Sequence, residues 1–380
     1  MNQELNSFIG NTFLSLADEL EKKGFGKKIN IGVTLLGSEL GVDNVLAGAE
    51  LAAKKTGVTV TLIGPKVKTN LPLIEVNTES EAHQKLDELL ESKFLDAVVT
   101  MHYPFPIGVA TVGKVITPTG KEMFITTTTG TSSTNRIEGM LKNAVYGNIV
   151  AKASGISKPT IAILNVDGAN EVEKHLRKLA SNGYDITFGE SQRSDKGTIL
   201  RGNDLILGSS DVVVTDSLTG NILMKLFSSF NSGGKEEVLG YGYGPGIGFG
   251  YSKKIFIVSR ASGPKVIAAG IEYAVDMVKG NLTTVLNGEE KMLTNSGFKD
   301  ILSLFKKEVS SSVKTKEVKK EVVTSQISGV DIMELENAVA YLLENDLYAE
   351  AGMGCTGPIV MVNERNEAKA KDLLVKKDYI

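Results

Sequence analysis

Along most of the chain, short apolar runs alternate with longer segments whose apolar residues recur every three or four positions. Residues 28–36 carry Ile29, Ile31, Val33 and Leu35 and predict a strand. A helix over 42–55 follows the turn at Gly37–Gly41, and a strand over 58–63 ends at Gly64-Pro65. Residues 80–93 read as a helix and 95–100 as a third strand. Ahead of them, residues 1–24 read as a helix with Phe8, Phe13, Leu14, Leu16 and Leu20 apolar and Gly24 as its stop. Farther on come a helix over 137–153, strands at 160–164, 212–214 and 254–259, and a helix over 263–279. This alternation predicts an α/β fold with a wound, mostly parallel sheet. Ligands bind such sheets beyond the carboxyl ends of the strands, so the residues that follow each strand are the first candidates for a site.

The run Val212-Val-Val214 reads as a strand buried on both faces. Thr215, Asp216, Ser217, Thr219 and Gly220 follow as a turn, and from Asn221 a helix carries Ile222, Leu223, Leu226 and Phe227 on one face. A strand, a small polar turn and a helix start make an anion site, because free N–H groups and the positive helix end point into the turn. Thr215, Asp216 and Thr219 add side-chain groups, and Lys225 adds a charge one turn in. The competing reading is an ordinary junction in which Thr219 or Asn221 only caps the helix. Asn165 and Asp167 follow the strand at 160–164 and are candidates for the same cleft, with 188–191 and 201–204 as loops over it.

Three other stretches carry two readings each. His102, beside Tyr103 and two prolines, is either a base or a packed loop residue. The hydroxyl-rich run from Thr126 to Arg136 either lines an anion or acyl pocket or is a β-branched strand followed by an N-cap. Glycine at every second position from Gly240 to Gly250 leaves one strand face as bare backbone, open to a ligand or another chain, or makes a flexible hairpin. It matches neither a dinucleotide-binding nor a Walker pattern.

Composition narrows the classes. In 380 residues, 42% hydrophobic and 23% charged, there is room for two or three globular units. A net charge of −3 leaves no basic excess to neutralise phosphates, so nucleic acid is not an expected partner. No apolar run reaches the length of a membrane span and the N-terminus lacks a signal-peptide pattern, so a cytoplasmic protein is expected, with no membrane association. The scattered His83, His102 and His175 and one cysteine predict neither a metal site nor an internal disulfide, and no cofactor is expected. Near Lys306 the composition turns to Lys, Glu and Ser. A charged linker over 306–326 is expected to divide an α/β domain of 1–305 from a small C-terminal α-β-α unit of 327–380. Its helices fall at 331–346 and 364–376, with a strand at 359–362. Such a linker predicts a mobile unit.

Cys355 lies in that unit, in a turn of Gly352, Gly354, Gly357 and Pro358. The glycines leave a thiol accessible and let backbone N–H groups converge on it. A thiol of pKa about 8.5 becomes a useful nucleophile when nearby positive charge lowers that value. The alternative is a buried, inert cysteine beside an apolar strand.

Residues 140–275 resemble the bacterial phosphate acyltransferases of phospholipid synthesis. The matching segments are Ala144-Val-Tyr-Gly-Asn148, Gly155-Ile-Ser-Lys-Pro-Thr-Ile-Ala-Ile-Leu-Asn165 and Asp211 to Lys225. The Gly-Gly-Asp opening of those enzymes is replaced here by Val33-Thr-Leu-Leu-Gly-Ser-Glu39. Nearly the whole chain resembles the alpha-subunit family of component C of glycine/sarcosine/betaine reductase complexes, with Cys355 in its Gly-Met-x-Cys-Thr-Gly-Pro setting. The resemblance implies a phosphate acyltransferase/isocitrate dehydrogenase-like fold and formation of acetyl phosphate from an acetyl thioester. It implies a beta subunit of component C and the selenoprotein component A, the acetyl donor, as partners, and an oligomer is expected. Carried over by position, Cys355 is the acetyl-accepting thiol. Thr215, Asp216, Thr219, Gly220, Asn221 and Lys225, with Asn165, form the phosphate and acyl-phosphate site. Two other readings stay open: a scaffold subunit whose partner bears the reactive thiol, and a phosphate acyltransferase of lipid synthesis.

Overall fold

The computed structural model of the chain describes residues 28–194, 196–305, 318, 320–331, 334–354 and 357–380. The helix expected over 1–24, most of the charged stretch 306–326 and Cys355 lie outside them.

The first half runs β1 (Asn30–Thr34), α1 (Val42–Thr56), β2 (Thr59–Gly64), β3 (Leu73–Glu75), α2 (Glu79–Glu91) and β4 (Ala97–Thr100). Helix ends follow local chemistry. Gly57 closes α1 in the left-handed region at φ 69°, and Thr78 with Glu81 opens α2 as a capping box. Next come β5 (Phe105–Pro106), β6 (Ala110–Ile116), β7 (Glu122–Gly130), α3 (Arg136–Ala153), β8 (Thr160–Leu164), α4 (Ala169–Ser181), β9 (Thr187–Phe188), β10 (Ile199–Leu200) and α5 (Gly202–Leu207). β11 (Val212–Val214) leads into α6 (Ser217–Ser229), which a 3₁₀ turn (Phe230–Ser232) extends. β12 (Gly244–Ile247), β13 (Ile255–Ile257), α7 (Pro264–Lys279), α8 (Leu282–Asn295) and α9 (Phe298–Ser303) complete the body.

Among the described residues twelve strands form one sheet in the order β10-β8-β11-β7-β6-β12-β13-β4-β1-β2-β3, with β9 beside β8. Apolar layers cover both of its faces. In β11, Val212 and Val214 face one core and Val213 the other, which is why such strands read as unbroken apolar runs. Each end of the sheet is parallel, but β7/β6, β6/β12 and β12/β13 are antiparallel. Three reversals set the two parallel halves in opposite directions. The carboxyl ends of β7, β11 and β8 therefore lie at the edge opposite those of β13, β4 and β1.

The glycine-rich run is not an open strand face. Only Gly244–Ile247 is strand, and Gly240, Gly242, Gly244 and Gly250 have positive φ. A Cβ on Gly244 would lie 1.8 Å from Val112 O. The close approach is made by the neighbouring strand of the same chain.

The C-terminal elements are β14 (Ser325–Ser328), α10 (Leu335–Glu344), β15 (Ala349–Gly354), β16 (Gly357–Val362) and α11 (Glu367–Lys376). Two strands thus join the expected helix, strand and helix. They share their own core of Ile327, Leu335, Leu342, Val360, Val362 and Leu374. β15 also pairs antiparallel with β5, Gly352 beside Pro106 and Met353 beside Phe105, so the unit extends a body strand at its edge.

Candidate functional site

β8, β11 and β7 lie side by side, with Val214 beside Ile163 on one flank and Thr126 on the other; β8 and β11 end together, and β7 runs four residues farther, to Gly130. Asn165 follows β8, Thr215 follows β11, and the chain leaving β7 enters α3. One edge thus gathers the strand ends the sequence singled out.

Helix α6 begins at Ser217, four residues before the start read from the sequence, so Thr219 and Gly220 are its first turn rather than a loop. Asp216 is the N-cap, not Thr219 or Asn221. Its carboxylate accepts from Thr219 N–H at 3.0 Å and from the Thr219 hydroxyl at 2.8 Å. That satisfies one orphan donor and sets negative charge at the positive helix end.

Gly220 permits the early start. A Cβ there would lie 1.9 Å from Thr127 O, so only glycine lets the first turn press on the β7 backbone. Asn221 secures the contact by donating to Thr128 O at 3.0 Å. From the other side Asn143 of α3 donates to Thr215 O at 3.0 Å, and Ser132 donates to the Asn143 side-chain oxygen. Gly220 and Asn221 therefore shape the turn.

Arg136 ties the three strand ends together. It is the first residue of α3, after the Asn135 cap. Its Nη2 meets the Asp216 carboxylate at 2.9 Å, and its Nε donates to Asp167 O at 3.1 Å. A cation in the first turn opposes the helix dipole, at a cost of about 0.3–1 kcal/mol. That violation of a local rule was the signal that singles out Arg136, which sequence reasoning named only as the end of the hydroxyl run. Asp167 is engaged through its carbonyl.

Three kinds of group near these strand ends keep hydrogen-bonding capacity. Thr215 Oγ1 is fully buried with no hydrogen-bond partner among the described residues. Asp216 occupies the amides of Thr219 and Gly220, leaving those of Ser217 and Leu218 as the orphan donors of the first turn. Arg136 is half exposed and keeps N–H groups beyond its two bonds. Cation, amides and hydroxyl suit a small oxyanion.

Other candidates lie elsewhere. Lys225 sits nine residues beyond Asp216, roughly 13 Å along the helix axis. Its Nζ is 3.9 Å from the buried Glu237 carboxylate. Burial raises the Glu237 pKa above the ordinary carboxylate range, opposed by the Tyr243 hydroxyl and Lys225. The hydroxyl run is largely structural. Thr126, Thr127 and Thr128 are buried in β7, where Thr128 bonds the Thr111 hydroxyl at 2.7 Å and donates to Tyr243 O at 2.9 Å. His102 follows β4 at the opposite edge, its ring 6.0 Å from that of His83. Burial, with repulsion from His83 and Arg260, pushes its pKa down to about 4, so the imidazole is neutral at pH 7.

Cys355 lies outside the described residues; its flanks do not. β15 and β16 pair from Ala349 beside Val362 to Gly354 beside Gly357. Antiparallel pairing with β5 turns the Gly354 end toward the residues before Phe105. There the Tyr103 hydroxyl donates to Asp87 at 3.0 Å, and Lys253 meets the same carboxylate at 2.7 Å.

Comparison with known proteins places this geometry in context. The profile of a family described as fatty acid synthesis protein matches residues 29–361. The glycine/sarcosine/betaine reductase complex component C subunit alpha of Peptoclostridium acidaminophilum is 54% identical over 376 residues, 98% of each chain. A phosphate acyltransferase of Thermotoga petrophila is 26% identical over 234 residues, 52% of this chain and 67% of the other. Among solved structures, a branched-chain phosphotransacylase from Enterococcus faecalis superposes with a TM-score of 0.49 at 17% identity, over 66% of this chain and 99% of the other. Among the described residues no helix is long and apolar enough to cross a membrane.

Proposed function

Since the chain belongs to the fatty acid synthesis protein family, and within it groups with the component C alpha subunits of glycine/sarcosine/betaine reductase complexes, we propose that it transfers an acetyl group from a thioester to phosphate. In this reading Cys355 carries the acetyl group, delivered by the selenoprotein component A, and the chain works beside a beta subunit. A phosphate oxygen attacks the thioester carbonyl. The new C–O bond forms, the C–S bond breaks, and the proton of hydrogen phosphate passes to the departing sulfur. Acetyl phosphate and the free thiol result, with no oxidant or reductant consumed in this step.

The observation that carries the reading is the Arg136 clamp on the Asp216-capped helix. It sets a half-exposed guanidinium beside a helix start whose Ser217 and Leu218 amides are unspent, with the unpartnered Thr215 hydroxyl two residues before that start. Asp216 orients Arg136, Thr219 completes the cap, and Gly220 and Asn221 hold the turn on β7. Asn165 lies one strand over at the same edge, and Lys225 adds positive potential along the helix.

The test separates the two halves of the site. With a radiolabelled acetyl donor, Cys355→Ser should lose the covalent label while its circular dichroism stays that of the wild type. Arg136→Ala should keep the label and release it to phosphate or arsenate about 100-fold more slowly, as expected when a positioned charge is removed. Normal turnover by Cys355→Ser overturns the covalent role and returns the chain to a scaffold.

A further inference from the structure

The pair of Arg136 and Asp216 carries no net charge, because the guanidinium lies 2.9 Å from the carboxylate. Phosphate brings about one to two negative charges near pH 7. Lys225 stands roughly 13 Å along the helix, 3.9 Å from the Glu237 carboxylate, and does not supply the balance. A phosphate at these strand ends needs another cation, and the sheet register shows where one stands.

Val214, Ile163 and Ile199 stand side by side on β11, β8 and β10, all three toward the core that α3 and α4 cover. Two residues on, the same row holds Asp216, Asn165 and Arg201. Between β8 and β10 the ladder reaches that row, where Asn165 N–H donates to Leu200 O at 2.9 Å. Asp216 and Arg201 are themselves extended, at φ −77°, ψ 165° and φ −115°, ψ 178°. Side chains two apart on extended chain share a face, so Arg201 projects on the side of Asp216 and α3. Two strand spacings, roughly 10 Å, separate the Cα atoms of Asp216 and Arg201, with the exposed Asn165 between them. The backbone of Arg201 is fixed, its N–H donating to the buried Asp204 carboxylate at 2.8 Å. Its side chain is exposed, and among the described residues no hydrogen bond or ion pair holds the guanidinium. Asp167 and Glu190, the exposed carboxylates of the neighbouring strand ends, do not pair with it.

We propose that Arg201 is the second cation of the phosphate site, reaching over Asn165 to hold, with Arg136, one phosphate between the ends of β10 and β11. The inference rests on the phosphate-transfer reading and adds the residue that balances its charge. The long arginine stem spans more than one strand spacing, so each guanidinium has only half of the gap to cover. Arg136 has spent two of its five N–H groups, on Asp216 and on Asp167 O. Arg201 keeps its whole planar fork, which matches two oxygens of a phosphate.

The experiment titrates inorganic phosphate into the full chain by calorimetry, with Arg201→Ala, Arg201→Lys, Arg136→Ala and Lys299→Ala beside the wild type. Lys299 is the charge control, an exposed cation of α9, which begins beside the far end of α4. Arg201→Ala should weaken phosphate binding at least tenfold, as when a hydrogen bond to a charged group is lost, with circular dichroism and melting temperature unchanged. Arg201→Lys should recover only part of the loss, because it keeps the charge without the fork. Lys299→Ala should bind as the wild type does. In turnover, Arg201→Ala should raise the KM for phosphate by the same factor and leave acetyl labelling of Cys355 intact. Phosphate binding lost in Arg136→Ala but intact in Arg201→Ala overturns this inference and leaves the proposed function standing. Equal losses in Arg201→Ala and Lys299→Ala also overturn it, by assigning the effect to the general field of the protein. A wild type that binds no phosphate at about 50 mM overturns both the inference and the function it rests on.

Discussion

Gly220 is the residue on which the local geometry turns. Its missing Cβ lets the first turn of α6 lie against the Thr127 carbonyl, and this sets where Asp216 and Asn221 stand. In Gly220→Ala the new carbon must push the helix off the strand by more than an ångström. We expect a loss of about 2–4 kcal/mol in urea unfolding, as for overpacking against backbone. The matched control is Gly202→Ala, where no heavy atom lies within 4 Å of the added carbon. It should stay within about 0.5 kcal/mol of the wild type. Equal losses in the two variants would refute the contact as the cause. Sequence patterning flagged Gly220 as part of a turn; that it meets Thr127, far away along the chain, is a tertiary fact.

At the scale of elements, α6 joins a capped start, held by Arg136, to exposed apolar residues along its length. Its N-cap carboxylate serves two neighbours, Thr219 within the helix and Arg136 on α3. The two roles separate in a pair of variants. Asp216→Ala removes both and should cost about 1–2 kcal/mol in thermal or urea unfolding. Asp216→Asn keeps an oxygen for the Thr219 amide and should cost less than about 1 kcal/mol, yet still slow release of the acetyl group to phosphate by loosening Arg136. A stability loss in Asn equal to that in Ala would mean that the ion pair with Arg136, rather than the cap, holds the turn.

At the scale of the whole molecule, three antiparallel neighbours in mid-sheet decide which strand ends meet. They gather Asn165, Thr215 and Arg136 at one edge and leave His102 at the other. The C-terminal unit is docked through β5 and β15, whereas its charged approach in the sequence predicts mobility. A mobile unit that shuttles Cys355 between an acetyl donor and the phosphate site requires this docking to open. Pro106 and Gly352 are directly paired, and opposite residues of an antiparallel pair have Cα separations near those a disulfide needs, about 4.5–5.5 Å. A Pro106→Cys/Gly352→Cys disulfide should impair turnover at least tenfold and recover on reduction. The single Gly352→Cys variant, treated alike, should keep its rate. An oxidised double variant turning over at full speed would end the shuttle idea.

Local pattern was enough for the α/β class, for β8 and β11 at their observed bounds and for α1 to within a residue, because burial on both faces and a 3.6-residue period leave their mark in adjacent residues. It also marked Thr215 to Asn221 as a strand-to-helix junction. Only tertiary structure decided that Asp216 is the cap, that Arg136 clamps it, and that Gly220 and Asn221 serve the contact with β7. It likewise decided the outward face of α6 and the strand pairing that seats the C-terminal unit. Each of these joins residues distant in sequence. Hydrophobic periodicity records that a residue is buried or exposed, but it carries no record of what lies against it.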